Sequence, residues 1–292
     1  MGISVREKHL RGAGFTIRRL TLAITGLLII AIAGAALMAS YRETAAEANE
    51  FEEIALLLDA RKSPISVPTT PVPALYDDEN PATQITVSPE PAQEEAQNAQ
   101  NTVILEQLSE LYLQNDELGG WVRIDGTKIN YPVMLTPDNP EKYLHLSFSK
   151  KYSDSGVPFI GEGYSISPRS DNIVLYGHHM QSGAMFAAIV KYQEKKFLQN
   201  HPVIYFSTLY DEGEYEIFAA IATDLRSARK LRCYTFVTAA DEADFQSFIS
   251  GLRAASFYDT DVDVKYGDDL LTLSTCAYHS NEGRFIIVAR KR

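Results

Sequence analysis

The chain has 292 residues, 38 of them acidic against 27 basic, for a formal net charge of −11. Binding a polyanion needs Lys and Arg clustered to neutralise phosphate, and this acidic composition excludes nucleic acid as a partner. Two cysteines, Cys233 and Cys276, are too few for a disulfide scaffold, although one bridge between them stays open at this point.

Residues 1–19 carry Arg6, Lys8, Arg11, Arg18 and Arg19 against Glu7 alone. The next 22 residues, 20–41, hold no charge and are rich in Leu, Ile and Ala. As a helix they reach roughly 33 Å, enough for a ~30 Å hydrocarbon core, which predicts a single-pass transmembrane anchor. A cleaved signal peptide is the alternative, with Ala46-Glu47-Ala48 as its cleavage site, but its apolar region is ordinarily only ~7–15 residues. Basic residues before the span predict that 1–19 is cytoplasmic and that everything after Tyr41 is extracellular.

Segment 42–101 is strongly acidic. Its first part, 44–61, has Phe51, Ile54, Leu57 and Leu58 at helical spacing. Its second, 63–100, contains seven of the chain's thirteen prolines and no periodic apolar face. That composition cannot bury enough surface to offset chain entropy, so it predicts an extended, disordered stalk.

The remaining residues, 102–292, predict a mostly β domain with peripheral helices. A short helix over 103–113 opens it, followed by a hairpin in which 121–124 and 127–131 alternate around Asp125-Gly126, a pair suited to a type I′ turn. Further strands are predicted at 156–160, 172–176, 203–207, 215–223, 270–275 and 284–290, with helices at 185–198 and 241–255. The last helix has Phe245, Phe248, Ile249 and Leu252 as an apolar stripe behind Asp241, a capping residue type. Eight or so short strands predict a closed barrel, which abolishes sheet edges.

Chemistry concentrates at two strand ends. The run 270–276 ends in Cys276, and on a period of two Thr272, Ser274 and Cys276 share one face. After a seven-residue loop the next strand opens at Arg284, so an antiparallel pairing brings Arg284 to Cys276. A guanidinium there lowers a thiol pKa and offers donors to an oxyanion, although spacing alone equally allows a surface charge. The strand 172–176 runs through Gly177 into His178-His179-Met180, giving a histidine at a strand end able to shuttle protons for a thiol nucleophile. Pattern alone does not choose between His178 and His179, and His279, in the loop after Cys276, is a rival base. His145 and His201 stand isolated, no cluster has zinc-like spacing, and neither a metal nor a cofactor is expected.

Taken together, Thr272-Leu273-Ser274-Thr275-Cys276, the downstream Arg284 and Tyr176-Gly177-His178-His179-Met180 resemble the sortases of Gram-positive bacteria, class B in particular. The likeness runs from about Val103 to the end and includes a helix at 241–255 before the strand bearing the cysteine. It implies an eight-stranded sortase-type β-barrel and a cysteine transpeptidase. In that reading Cys276 is the nucleophile, His178 the acid/base in preference to His179, and Arg284 the oxyanion partner, with Ser274 and Thr275 contacting substrate. The implied partners are the threonine-containing sorting-signal peptide of a secreted surface protein and an amine from a peptidoglycan precursor or a pilin lysine. Cys233 matches no catalytic position of the family and reads as a buried free thiol. Competing readings are a hydrolytic cysteine protease, a cell-wall crosslink transpeptidase, whose Ser-His-Gly before the cysteine is missing here, and a membrane-tethered adhesin or scaffold.

Overall fold

Eight strands pair into a closed barrel in the order β1-β2-β3-β4-β7-β8-β6-β5, with β1 bonded to both β2 and β5. The strands are β1 Leu118–Arg123, β2 Asn130–Met134, β3 Phe159–Ile160, β4 Asn172–Tyr176, β5 Val203–Thr208, β6 Glu212–Asp224, β7 Leu270–Cys276 and β8 Gly283–Lys291. The computed structural model describes residues 22, 24–38, 42, 49–58, 103–276 and 282–292.

Two of the pairings are parallel, β2 with β3 and β4 with β7. The β4–β7 pair, its residues 172–175 and 270–275 all buried, forms the spine of the barrel. A parallel neighbour needs a long crossover, and here it comprises a 3-10 helix Phe186–Gln193, strands β5 and β6, and three helices. With α1 Glu106–Gln114 opening the domain, these are α2 Lys195–Asn200, α3 Leu225–Lys230 and α4 Glu242–Ala255.

The α4 stripe behaves as its spacing predicts. Phe245, Phe248, Ile249 and Leu252 are buried and pack with Phe236, Cys233, Ala219, Ile286 and Val288. Each such aromatic or aliphatic burial contributes roughly 1.5–3 kcal/mol. The Asp241 carboxylate accepts from the Asp244 N–H at 2.8 Å, capping the first turn.

Three local expectations change. The hairpin after β1 is not a two-residue type I′ turn: positive φ occurs at Gly126 (74°) but not at Asp125. Instead Ile124 N–H bonds to the Ile129 carbonyl at 2.9 Å, and the Thr127 hydroxyl organises the loop by donating to the Ile124 carbonyl and accepting from the Ile129 N–H. The strand expected over 156–160 shrinks to Phe159–Ile160, because Gly156 sits at φ 57° and Pro158 has no N–H to give a ladder. The helix expected over 185–198 breaks at Glu194 into the 3-10 segment and α2.

Residues 1–52 and 53–292 form separate compact units. In the first, 24–38 are helical, with Leu27, Leu28, Ile29, Ile30 and Ile32 exposed. Among the described residues no helix is long and apolar enough to cross a membrane; of the segment 20–41, residues 20, 21, 23 and 39–41 lie outside them. Residues 49–58 are helical, within the helix expected over 44–61. The predicted stalk, 63–100, lies outside the described residues.

Candidate active site

The strand register assembles the site. Along β7 and β8, Cys276 is the register partner of Arg284. Along β4 and β7 the chains run in step, Tyr176 beside Ser274, and the Gly177 N–H donates to the Ser274 carbonyl at 3.2 Å. The pairing ends there: His178 follows the end of β4 by two residues, and Cys276 follows Ser274 by two residues at the end of β7. The strand that carries the cysteine is therefore paired on one side with the strand opened by the arginine and on the other with the strand that leads into the histidine.

Local interactions hold this end together. The buried Thr275 hydroxyl donates to the Gly177 carbonyl at 2.6 Å, tying β7 to the residue before His178. Gly177 is required by close approach: a Cβ there would lie 2.7 Å from the Phe186 ring. The Phe186 N–H donates to the His178 carbonyl at 2.9 Å, fixing the histidine backbone from the other side.

His178 is half-buried, and its Nε2 lies 2.9 Å from the Leu144 carbonyl, with the His145 ring 5.5 Å away. His179 instead joins an isolated bridge with Met185. Arg284 bonds through Nη1 to the Gly283 carbonyl at 3.0 Å, and among the described residues no carboxylate forms a salt bridge with it. A guanidinium with unused donors can take up a developing negative charge. His279 lies outside the described residues, while His201 sits by the β1–β2 loop, 2.7 Å from the Asp125 carbonyl.

A cleft of about 1030 Å³ is lined by Leu144, Tyr176, Gly177, His178, Ser274, Thr275 and Arg284 among others. One wall is aromatic: Tyr176 packs on Phe159 and Tyr234, with ring centroids 5.6 and 5.5 Å apart. The Tyr234 hydroxyl lies 2.9 Å from Ser274 Oγ. Burial pushes the Tyr176 phenol well above its ordinary range, with the neighbouring Tyr164 and Tyr234 adding to the effect, so it stays neutral at physiological pH.

Cys233 is a free, buried thiol, which settles the bridge left open by the sequence. Burial pushes its pKa up to about 12, making it a poor nucleophile. Among the described residues no group of three or more His, Cys, Asp or Glu could hold a metal ion. Sequence reasoning missed Leu144, whose contribution is a backbone carbonyl and so leaves no trace in side-chain pattern. It also missed Tyr234, which reaches Ser274 across 40 positions of sequence and belongs to no motif.

The chain matches the family described as Sortase domain over residues 122–292. It is 30% identical over 189 residues to sortase B of Listeria monocytogenes, covering 64% of this chain and 74% of the relative. It is 29% identical over 178 residues to sortase B of Staphylococcus aureus, covering 60% and 70%. The solved Staphylococcus aureus sortase B–substrate complex superposes with a TM-score of 0.59 at 26% identity, over 68% of this chain and 90% of that one.

Proposed function

We propose that this chain, which belongs to the sortase family and is a class B cysteine transpeptidase that anchors surface proteins, works through Cys276, His178 and Arg284 on a threonine-containing sorting signal. The observation that supports the reading is the register that pairs Cys276 with Arg284 on β8 and Ser274 with Tyr176 on β4, two residues short of His178, with His178 and Arg284 lining one cleft.

The chemistry follows from the groups. His178 takes the thiol proton, and the Cys276 thiolate attacks the threonine carbonyl while Arg284 donates to the oxyanion. The C–N bond breaks as the imidazolium returns its proton to the departing amine, leaving a thioacyl enzyme. An incoming amine, from a peptidoglycan precursor or a pilin lysine, attacks that thioester. Its proton passes to His178, the C–S bond breaks, and thiolate and imidazolium are restored. Ser274 and Thr275, in the cleft wall, contact the signal peptide.

The same reading tethers the enzyme to the cell membrane through residues 20–41, with 1–19 cytoplasmic, 42–101 a stalk and 102–292 the extracellular catalytic domain. The exposed apolar side chains along 24–38 and the basic residues before them support it.

The test is the full chain in detergent with a threonine-containing sorting peptide, with and without an added amine. Cys276→Ala should abolish peptide cleavage, and the amine should appear joined to the threonine carboxyl. Turnover by the alanine variant rejects the nucleophile; hydrolysis alone, unaffected by amine, favours the hydrolytic protease. Membership of a transpeptidase family sets aside the adhesin or scaffold.

A further inference from the structure

The Leu144 carbonyl distinguishes the two ring nitrogens of His178, because it lies against one of them. A carbonyl oxygen only accepts, so the Nε2 that lies 2.9 Å from it must carry a proton. In the neutral imidazole the lone pair is then on Nδ1. In the imidazolium both nitrogens are protonated, and the bond from Nε2 persists unchanged.

We infer that the Leu144 carbonyl holds His178 in its Nε2–H tautomer, so that Nδ1 is the atom that gives and takes the catalytic proton and the ring need not turn between its acid and base roles. This rests on the reading of His178 as the acid/base. In acylation Nδ1–H passes its proton to the departing amine nitrogen as the scissile C–N bond breaks. In deacylation the Nδ1 lone pair takes the proton of the attacking amine as the new C–N bond forms and Cys276 leaves as thiolate.

The carbonyl is available because of where the chain turns. Leu144 belongs to a 3-10 helix, Lys142–His145, and the last carbonyls of any helix lack partners within it. Here each finds one elsewhere. Tyr143 accepts from the Val157 N–H at 3.0 Å, His145 from the Ser153 N–H at 3.1 Å, and Leu144 from His178.

The turn is itself pinned from behind. Tyr143 is fully buried, and its hydroxyl donates to the Glu117 carboxylate at 2.7 Å while accepting from the Asn115 amide at 2.7 Å. Lys142 pairs with the same carboxylate at 2.5 Å. Gly156, at φ 57°, lets its backbone pass against the turn, where a Cβ would come within 2.4 Å of the Leu144 oxygen. Asn115, Glu117 and Tyr143 are thus positioning residues that act on His178 through one carbonyl, as outer partners of a functional histidine commonly set its tautomer.

The deciding measurement is proton-coupled ¹⁵N NMR of the full chain in detergent, labelled at histidine, with His178 assigned by the signal lost in His178→Gln. The neutral ring should show a protonated Nε2 and an unprotonated Nδ1. The opposite tautomer, or an average of both, overturns the inference while leaving His178 free to be the acid/base. Full turnover by His178→Gln overturns that role and leaves the tautomer result standing. Tyr143→Phe probes the support without touching the cleft. It should lower kcat about tenfold, the scale for loss of such an outer partner, leave KM within about twofold, and move the His178 nitrogens towards an average. Unchanged kcat and unchanged nitrogen signals in that variant overturn the positioning role of Tyr143.

Discussion

Replacing Thr275 by Val tests whether the two strand ends are joined as described. The substitution keeps the branched shape but removes the hydroxyl that donates to the Gly177 carbonyl at 2.6 Å, at a site only 3% exposed. Losing the bond and leaving a buried carbonyl short of a donor costs about 1–3 kcal/mol. In a domain of this size each kcal/mol lowers Tm by roughly 2–4 °C, so the variant should melt roughly 2–12 °C below the wild type. Because Gly177 directly precedes His178, the loosened end should also displace the imidazole, and kcat should fall at least about tenfold, since small misplacements of a catalytic group are costly. Thr275→Ser keeps the donor and gives up one buried methyl, worth about 0.8 kcal/mol, so it should retain most of the activity. The assay pairs near-UV circular dichroism melts with peptide transfer by the full chain. A valine variant melting within about 1 °C of wild type refutes the hydrogen bond as a significant tie. One that loses stability but keeps full kcat refutes the link from that tie to His178.

Alkylation should separate the two cysteines: with a pKa of about 12, Cys233 is only about one part in ten thousand thiolate at pH 8. Peptide mapping after brief iodoacetamide treatment should find Cys276 modified and Cys233 intact, and rapid labelling of Cys233 would contradict its burial. Phe248→Ala removes a ring stacked 3.9 Å from Phe236 in the packing under α4 and should cost about 3–5 kcal/mol, or roughly 6–20 °C in Tm by thermal melt. Asp244 is held below the usual carboxylate range, first by its hydrogen bonds to Arg232. A lowered folded pKa means stability that is present above the unfolded value of ~3.9 and lost as pH falls through the folded one. Asp244→Asn should therefore melt below wild type at pH 7, with the gap closing below about pH 4; a gap that persists in acid would show that charge is not its origin.

Much of the barrel was legible because its signals are local. The β-rich runs 172–176 and 270–276, the apolar spacing of Phe245, Phe248, Ile249 and Leu252, and the cap at Asp241 all report on a residue's own neighbours along the chain. Where the reading failed, a side-chain bond inside the loop in one case and a contact distant in sequence in the other overrode the expected pattern. The Asp125-Gly126 loop is organised by the Thr127 hydroxyl instead of two positive φ angles, and the strand over 156–160 is cut short where Gly156 packs against the Tyr143 and Leu144 carbonyls.

Sequence alone determined the residue types the chemistry needs, a cysteine closing one strand, an arginine opening the next and a histidine just past a third, because side-chain periodicity and strand ends are written in short stretches. The choice among partners was tertiary. Parallel pairing of β4 with β7 sets residues 98 positions apart level with each other, and only folding turns the Leu144 carbonyl, invisible to any side-chain pattern, onto the ring of His178.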